Sequence, residues 1–240
     1  MTALVVMPTY NEAANLPRVV AEVLAHPGVG LLVVDDGSPD GTGQIADALA
    51  ASSGGRLEVL HRIGVRGLGL SYIDGLRRAL ASGVPVICQM DADLSHDPKY
   101  LPALIAALDH SDLAIGARYC PGGGVANWPW HRVLLSRFAN SYIRAITGLA
   151  PSDCTGAYRA WRRDALLRLP LDAPRTGGYA FLTEMLYDAA RLGCRIGQVP
   201  IVFVERREGH SKVSRSVLVE SLLTPWRLIA RHGRLSTPRP

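Results

Sequence analysis

The first half of the chain alternates short apolar, β-rich runs with helix-forming stretches, a pattern that folds into parallel strands joined by crossover helices. Strands are predicted at Ala3–Met7, Gly30–Val34, Leu57–His61, Val84–Met90 and Asp112–Ala117, and helices over 12–24, 42–51, 71–81 and 98–108. The last of these opens with Asp97 as cap and proline at its first position. The expected architecture is α/β, a Rossmann-like, mostly parallel sheet with flanking helices. Ligands of such sheets bind beyond the carboxyl ends of the strands. Three polar clusters lie at those ends: Thr9-Tyr10-Asn11-Glu12, Asp35-Asp36 and Asp91-Ala92-Asp93.

The third cluster carries the clearest chemistry. In an extended chain, side chains at i and i+2 share a side, so Asp91 and Asp93 can converge on one divalent cation. Oxygen-only ligation suits Mg2+ or Mn2+, which leave positions open for phosphate oxygens of a substrate. The Asp35-to-Gly41 run reads equally as a nucleotide-facing edge or as a strand-to-helix turn capped by Thr42.

In the second half, Gly122-Gly123-Gly124 reads as a loop without regular structure. A helix over 131–147 follows, with Leu135, Phe138, Ala139, Tyr142 and Ile146 as its apolar stripe. Another helix is expected over 180–192, a strand over 197–205, and a C-terminal amphipathic helix over 216–231 with Leu218, Leu222, Trp226 and Ile229 in line. That last stripe suits packing on the core, and with Arg227 and Arg231 it also suits a membrane surface.

At 240 residues the chain can bury a full core as one domain. The expected division is 1–117 for a first half that carries the three polar clusters, 118–215 for a second half, 216–231 for the helix and 232–240 for a tail. The four cysteines form no C-x-x-C pair, which predicts reduced thiols and favours the cytoplasm. No apolar run approaches the ~20 residues that span a bilayer. The net charge of +5 is concentrated in arginines of the second half, and no aromatic-basic signature of nucleic-acid binding accompanies it. Pro8-Thr9-Tyr10-Asn11-Glu12 lacks the glycine fingerprint of a nicotinamide enzyme.

Taken together, Met7 to Glu12, Val34 to Thr42 and Asp91 to His96 resemble the inverting nucleotide-sugar glycosyltransferases of the A-type fold. Gly116-Ala117-Arg118-Tyr119, Asn127 to Arg132 and Arg206 to Lys212 are similar to the polyprenol-phosphate (dolichol-phosphate) mannosyltransferase branch. The resemblance covers residues 3 to about 215 and implies mannose transfer from GDP-mannose to a polyprenyl monophosphate with inversion at the anomeric carbon. It implies that Pro8, Tyr10, Glu12, Val34 and Asp36 hold the guanosine. Asp91, Ala92 and Asp93 would hold the ribose, diphosphate and metal, with Arg206 and Lys212 on the diphosphate. Arg118, Arg132 and Ser136 would place the acceptor phosphate.

Such an acceptor makes chemical sense of the residues. A phosphate monoester, with a second pKa near ~6, is already an anionic nucleophile at neutral pH and needs no dedicated base. Two departures from relatives stand out: Ser95 occupies a place where some carry glutamine, and Ala180 follows Gly178-Tyr179 where some carry lysine. A lipid acceptor implies peripheral contact at the inner face of the cytoplasmic membrane, with a possible integral membrane partner. UDP-glucose as donor, or a catalytically silent nucleotide-sugar scaffold, are the alternative readings.

Overall fold

Every residue of β1 (Ala3–Thr9) and β2 (Val29–Asp35) is buried, which is why both read as unbroken apolar runs. Strands covered on both faces have no polar side to show. The computed structural model describes residues 1–171, 180–205 and 215–235, without the side chains of 215–219. Its seven-stranded sheet adds β3 (Leu57–His61), β4 (Val86–Gln89), β5 (Leu113–Ala117), β7 (Arg159–Arg162) and β8 (Ile196–Pro200), in the order β3-β2-β1-β4-β7-β5-β8. All neighbours pair in parallel except β7, which runs antiparallel between β4 and β5. The strand order reverses between β1 and β4, so the crevice beyond their carboxyl ends is the expected ligand position.

The helices divide between the faces. Helices α1 (Leu16–Leu24), α2 (Thr42–Ser52) and α4 (Leu101–Ala106) pack Val19, Val23, Ala46 and Leu104 against Val5, Met7, Leu31 and Val33. The other face of β1 and β2, with Leu4, Val6, Leu32 and Val34, takes α3 (Leu68–Ala81) and belongs to the same core as α7 (Ala180–Arg191). Contact at α3 is close because residue 75 is glycine. A Cβ there would collide with Val6 Cγ1 and lie 2.8 Å from Val34 Cγ2.

Several boundaries differ from expectation. Residues 12–15 form a turn, with the Asn15 and Leu16 N–H groups donating to the Glu12 carbonyl at 3.0 and 2.9 Å, and α1 begins only at Leu16. The cap of α2 is Gly41, in the left-handed region at φ 90°, rather than Thr42. Asp97 does cap its helix, accepting the Lys99 N–H at 3.0 Å, but short 3-10 turns flank α4. Gly124 is not in an irregular loop. It starts β6 (Gly124–Ala126), which pairs with β9 (Val202–Val204), and the expected strand over 197–205 is two strands broken at buried Ile201.

The helix α5 (Trp130–Thr147) forms as predicted, but its apolar stripe faces outward. Asn140, Ile143 and Thr147 are its buried residues, while Leu135 and Phe138 are exposed. The C-terminal α8 (Arg215–His232) likewise buries Thr224 and Leu228 and exposes Leu222 and Trp226. The two helices are joined at their outer edges, where the Tyr142 hydroxyl donates to the Leu222 carbonyl at 2.9 Å and accepts from Trp226 Nε1 at 2.8 Å. Among the described residues, no helix is long and apolar enough to cross a membrane. All four cysteines are free thiols, and burial pushes Cys88 and Cys154 up to about 12, so both stay protonated.

Candidate active site

Three strand ends and the loops behind them build the first wall. At the end of β2, Asp35 accepts the Ser38 hydroxyl at 2.5 Å and the Ser38 N–H at 3.3 Å, closing a turn. Asp36 is buried, and both its oxygens are used: Arg62 pairs with Oδ1 and the Gly67 N–H donates to Oδ2 at 2.8 Å. The β3–α3 loop is therefore pinned to the β2 end. Thr42 Oγ1 accepts the Glu12 N–H at 2.9 Å and donates to Asp40 at 2.6 Å, tying the β1 loop to α2. Pro8, Tyr10, Glu12, Val34 and Asp36 are thus brought to one edge, with Tyr10 and Glu12 accessible there and Pro8, Val34 and Asp36 forming its buried base.

Asp91, Ala92 and Asp93 follow β4, which ends at Gln89, so the two carboxylates project from bends rather than from an extended strand. Local hydrogen bonds aim them instead. Tyr72 donates to Asp91 Oδ1 at 2.7 Å, and Ser95 donates to Asp93 Oδ1 through its hydroxyl at 2.5 Å and its N–H at 3.1 Å. The left-handed Leu94, at φ 61°, permits that reversal. Ser95 therefore orients Asp93. Burial first, and then the charge of Asp91, push the Tyr72 phenol well above its ordinary value, so it remains a donor.

His96 closes this turn as a neutral ring. Its Nδ1 accepts the Asp91 N–H at 3.0 Å, and burial lowers its pKa despite the nearby carboxylates. The 3.9 Å approach of His96 to Asp91 is therefore no salt bridge. Among the described residues, no three His, Cys, Asp or Glu side chains cluster to enclose a metal. Two carboxylates aimed by Tyr72 and Ser95 fit a hard cation that shares its remaining positions with phosphate oxygens.

The second wall is aromatic and cationic. Arg118, at the end of β5, is 8% exposed and makes a two-pronged pair with Asp153, which is 0% exposed, at 2.6 and 2.7 Å. Thr155 takes another Arg118 N–H at 2.8 Å. Sequence reading missed Asp153, and it changes the role of Arg118 from free cation to half of a neutralised pair. Burial would raise the Asp153 pKa, but the charge and hydrogen bonds of Arg118 override it and hold the carboxyl below its usual range.

The three expected acceptor residues do meet. The Arg132 guanidinium lies 4.1 Å from the Trp128 ring centre, and Arg118 lies 5.8 Å from the same ring. Arg132 also pairs with Glu205, while the Tyr119 hydroxyl donates to Ser136 Oγ at 2.7 Å beneath Arg118 and Arg137. The Trp128 indole N–H is buried with no partner among the described residues, a donor turned into the same wall. Arg206, Lys212 and the Gly178-Tyr179 pair lie outside the described residues.

Residues 4–169 match the model of a family described as Glycosyl transferase family 2. The chain is 45% identical to a polyprenol monophosphomannose synthase of Mycolicibacterium smegmatis, over 98% of this chain and 89% of the relative. It is also 45% identical to an undecaprenyl-phosphate mannosyltransferase of Micrococcus luteus, over 96% of each. Among solved structures, its fold is similar to a glucosyl-3-phosphoglycerate synthase of Mycobacterium tuberculosis with Mn2+ and UDP. That likeness has a TM-score of 0.66 and 24% identity, covering 98% of this chain and 81% of that one. A mannosyltransferase from Pyrobaculum calidifontis, bound to GDP-Man and Mn2+, is similar at a TM-score of 0.58 and 19% identity, covering 98% and 76%.

Proposed function

The chain belongs to glycosyl transferase family 2, and on that footing we propose that it transfers mannose from GDP-mannose to a polyprenyl monophosphate, inverting the anomeric carbon. The observation that carries this reading is the 45% identity, over almost the whole chain, to two relatives named for polyprenyl-phosphate mannosylation. In this reading residues 1–117 bind the donor and 118–215 the acceptor. Pro8, Tyr10, Glu12, Val34 and Asp36 take the nucleoside, and Asp91 and Asp93 hold Mg2+ or Mn2+. When bound, that cation neutralises charge on the departing diphosphate. Arg206 and Lys212 are assigned to the same diphosphate by resemblance.

The acceptor phosphate oxygen attacks the anomeric carbon as the bond from that carbon to the GDP oxygen breaks. Arg132, Ser136 and the Trp128 N–H fit the acceptor phosphate. Arg118 and Asp153 hold that wall rigid. Neutralising Arg118 suits a site that must bind a phosphate and yet release a lipid product, because a lone buried guanidinium would hold the anion too firmly.

The outward stripe of α5 supports peripheral membrane contact, at the inner face of the cytoplasmic membrane in this reading. Trp130, Leu134 and Phe138 recur every four residues and are 77, 61 and 61% exposed, and exposed Leu222 and Trp226 of α8 meet the same helix at Tyr142. An exposed apolar face flanked by Arg137 and Arg144 is the pattern of an interfacial helix. Such a face would bring the membrane to the helix that also carries Arg132 and Ser136.

The test is incubation of the purified protein with Mg2+, a short polyprenyl phosphate and radiolabelled GDP-mannose or UDP-glucose in parallel. Mannose in the organic extract is the expected result. Glucose there instead, or label from neither donor, overturns the assignment.

A further inference from the structure

A side chain that neither motif nor family pattern singled out stands over the nucleoside edge. Arg66 lies on the β3–α3 loop, with its guanidinium carbon 4.8 Å from the centre of the Tyr10 ring and one N–H donating to the Tyr10 hydroxyl. That is its one hydrogen bond among the described residues, which leaves four N–H donors of an exposed guanidinium beside Tyr10.

The loop is built to hold this arginine in place. Burial does not hold it, since Ile63 and Val65 are 97 and 77% exposed. Polar braces do: Arg62 pairs with Asp36 and Asp74 and reaches the Val65 carbonyl at 3.3 Å, and the Gly67 N–H anchors on Asp36. Gly64, at φ 111°, makes the reversal that returns Arg66 toward β1. A buried carboxylate, an arginine and two glycines thus fix the approach of one exposed side chain to Tyr10.

We propose that Arg66 reads the base of the donor and sets its preference for guanine. A guanidinium presents paired N–H groups, and guanine is the base that offers two adjacent acceptors, O6 and N7, on one edge. Uracil places an N–H beside each carbonyl, and adenine sets an amino donor beside N7, so neither satisfies the fork. With Arg66 covering one face of Tyr10, an incoming base meets the guanidinium at its edge. This assignment rests on the GDP-mannose reading and adds the residue that would enforce it.

The experiment is calorimetric titration of the full chain, in excess Mg2+, with GDP, 7-deaza-GDP and UDP, repeated for Arg66→Ala and Arg66→Lys. Wild type should bind GDP about 10–100-fold tighter than UDP and lose several-fold on 7-deaza-GDP, which lacks one of the two acceptors. Both variants should bind GDP about as weakly as UDP, keep UDP within twofold of wild type, and show no 7-deaza penalty. Equal loss of GDP and UDP, or a 7-deaza penalty that survives in Arg66→Ala, overturns the role of Arg66 and leaves the donor reading standing. Wild type that prefers UDP overturns the GDP-mannose reading, and this assignment with it.

Discussion

Removing the carboxylate of Asp153 should be among the most destabilising single changes in this chain. Asp153 is 0% exposed and accepts Arg118 Nε at 2.6 Å, Arg118 Nη2 at 2.7 Å, the Arg118 N–H at 3.1 Å and the Thr155 N–H at 3.3 Å. Asp153→Ala strands a buried guanidinium, which costs about 3–5 kcal/mol. Two backbone N–H groups lose their acceptor as well, at about 1 kcal/mol each. The sum is about 5 kcal/mol or more, a fall of about 10–20 °C in Tm for a chain of this length. Asp153→Asn keeps one acceptor oxygen and turns an amide donor toward the guanidinium, so a loss of about 3 kcal/mol is expected.

Urea denaturation of wild type, both single variants, Arg118→Met and Arg118→Met/Asp153→Asn gives the coupling directly. It should be about 2–3 kcal/mol, because the second substitution has less left to break. The sign with pH is fixed too. The folded pKa of Asp153 lies below its unfolded value near 3.8, so its stabilisation is fully present above about pH 4 and is lost as pH falls through the depressed folded value. Asp153→Asn should lose that acid limb. Additive single and double losses, or an acid limb unchanged in Asp153→Asn, would refute the pair as the brace of this wall.

Three further outcomes test the site. Tyr72→Phe should leave the fold intact and weaken Mg2+ or Mn2+ activation about 10–100-fold in the metal concentration for half-maximal turnover, because Asp91 loses its orienting donor. Asp93→Ala should abolish most metal-dependent turnover with an unchanged circular dichroism spectrum, and full activity with normal Mg2+ dependence would count against it as a ligand. Phe138→Asp combined with Leu134→Ser should lower co-sedimentation with anionic vesicles at least tenfold while GDP affinity stays constant, since both side chains are exposed and neither is assigned to the donor.

The donor half was legible because its strands carry the signal in their own composition. β1 and β2 are apolar runs, and the polar residues that follow sit where an α/β sheet must put them. β7 was missed for a physical reason: Arg159-Ala160-Trp161-Arg162 places a wholly buried arginine in a central strand, and no propensity scale anticipates that. Burial pulls the Arg159 pKa down to about 10, a sign of how far this side chain departs from ordinary arginine surroundings. The stripes of α5 and α8 were legible but what they face was not, because helical periodicity identifies an apolar face without saying whether protein, lipid or water meets it. Asp153 gave no local signal. An isolated acid becomes half of a buried pair only when β5 and the chain before β7 are brought together.

Gly75 gives the fold a control point far removed in kind from the polar site. Tyr72 and Gly75 share one face of α3, and the absence of a methyl group at 75 lets that helix rest on Val6 and Val34. An alanine would act as a shim, lifting the helix and carrying the Tyr72 hydroxyl off Asp91. The spacing between a helix and a sheet thereby becomes a dial on the aim of a carboxylate, and drift in turnover among relatives can arise at a position with no polar atom of its own.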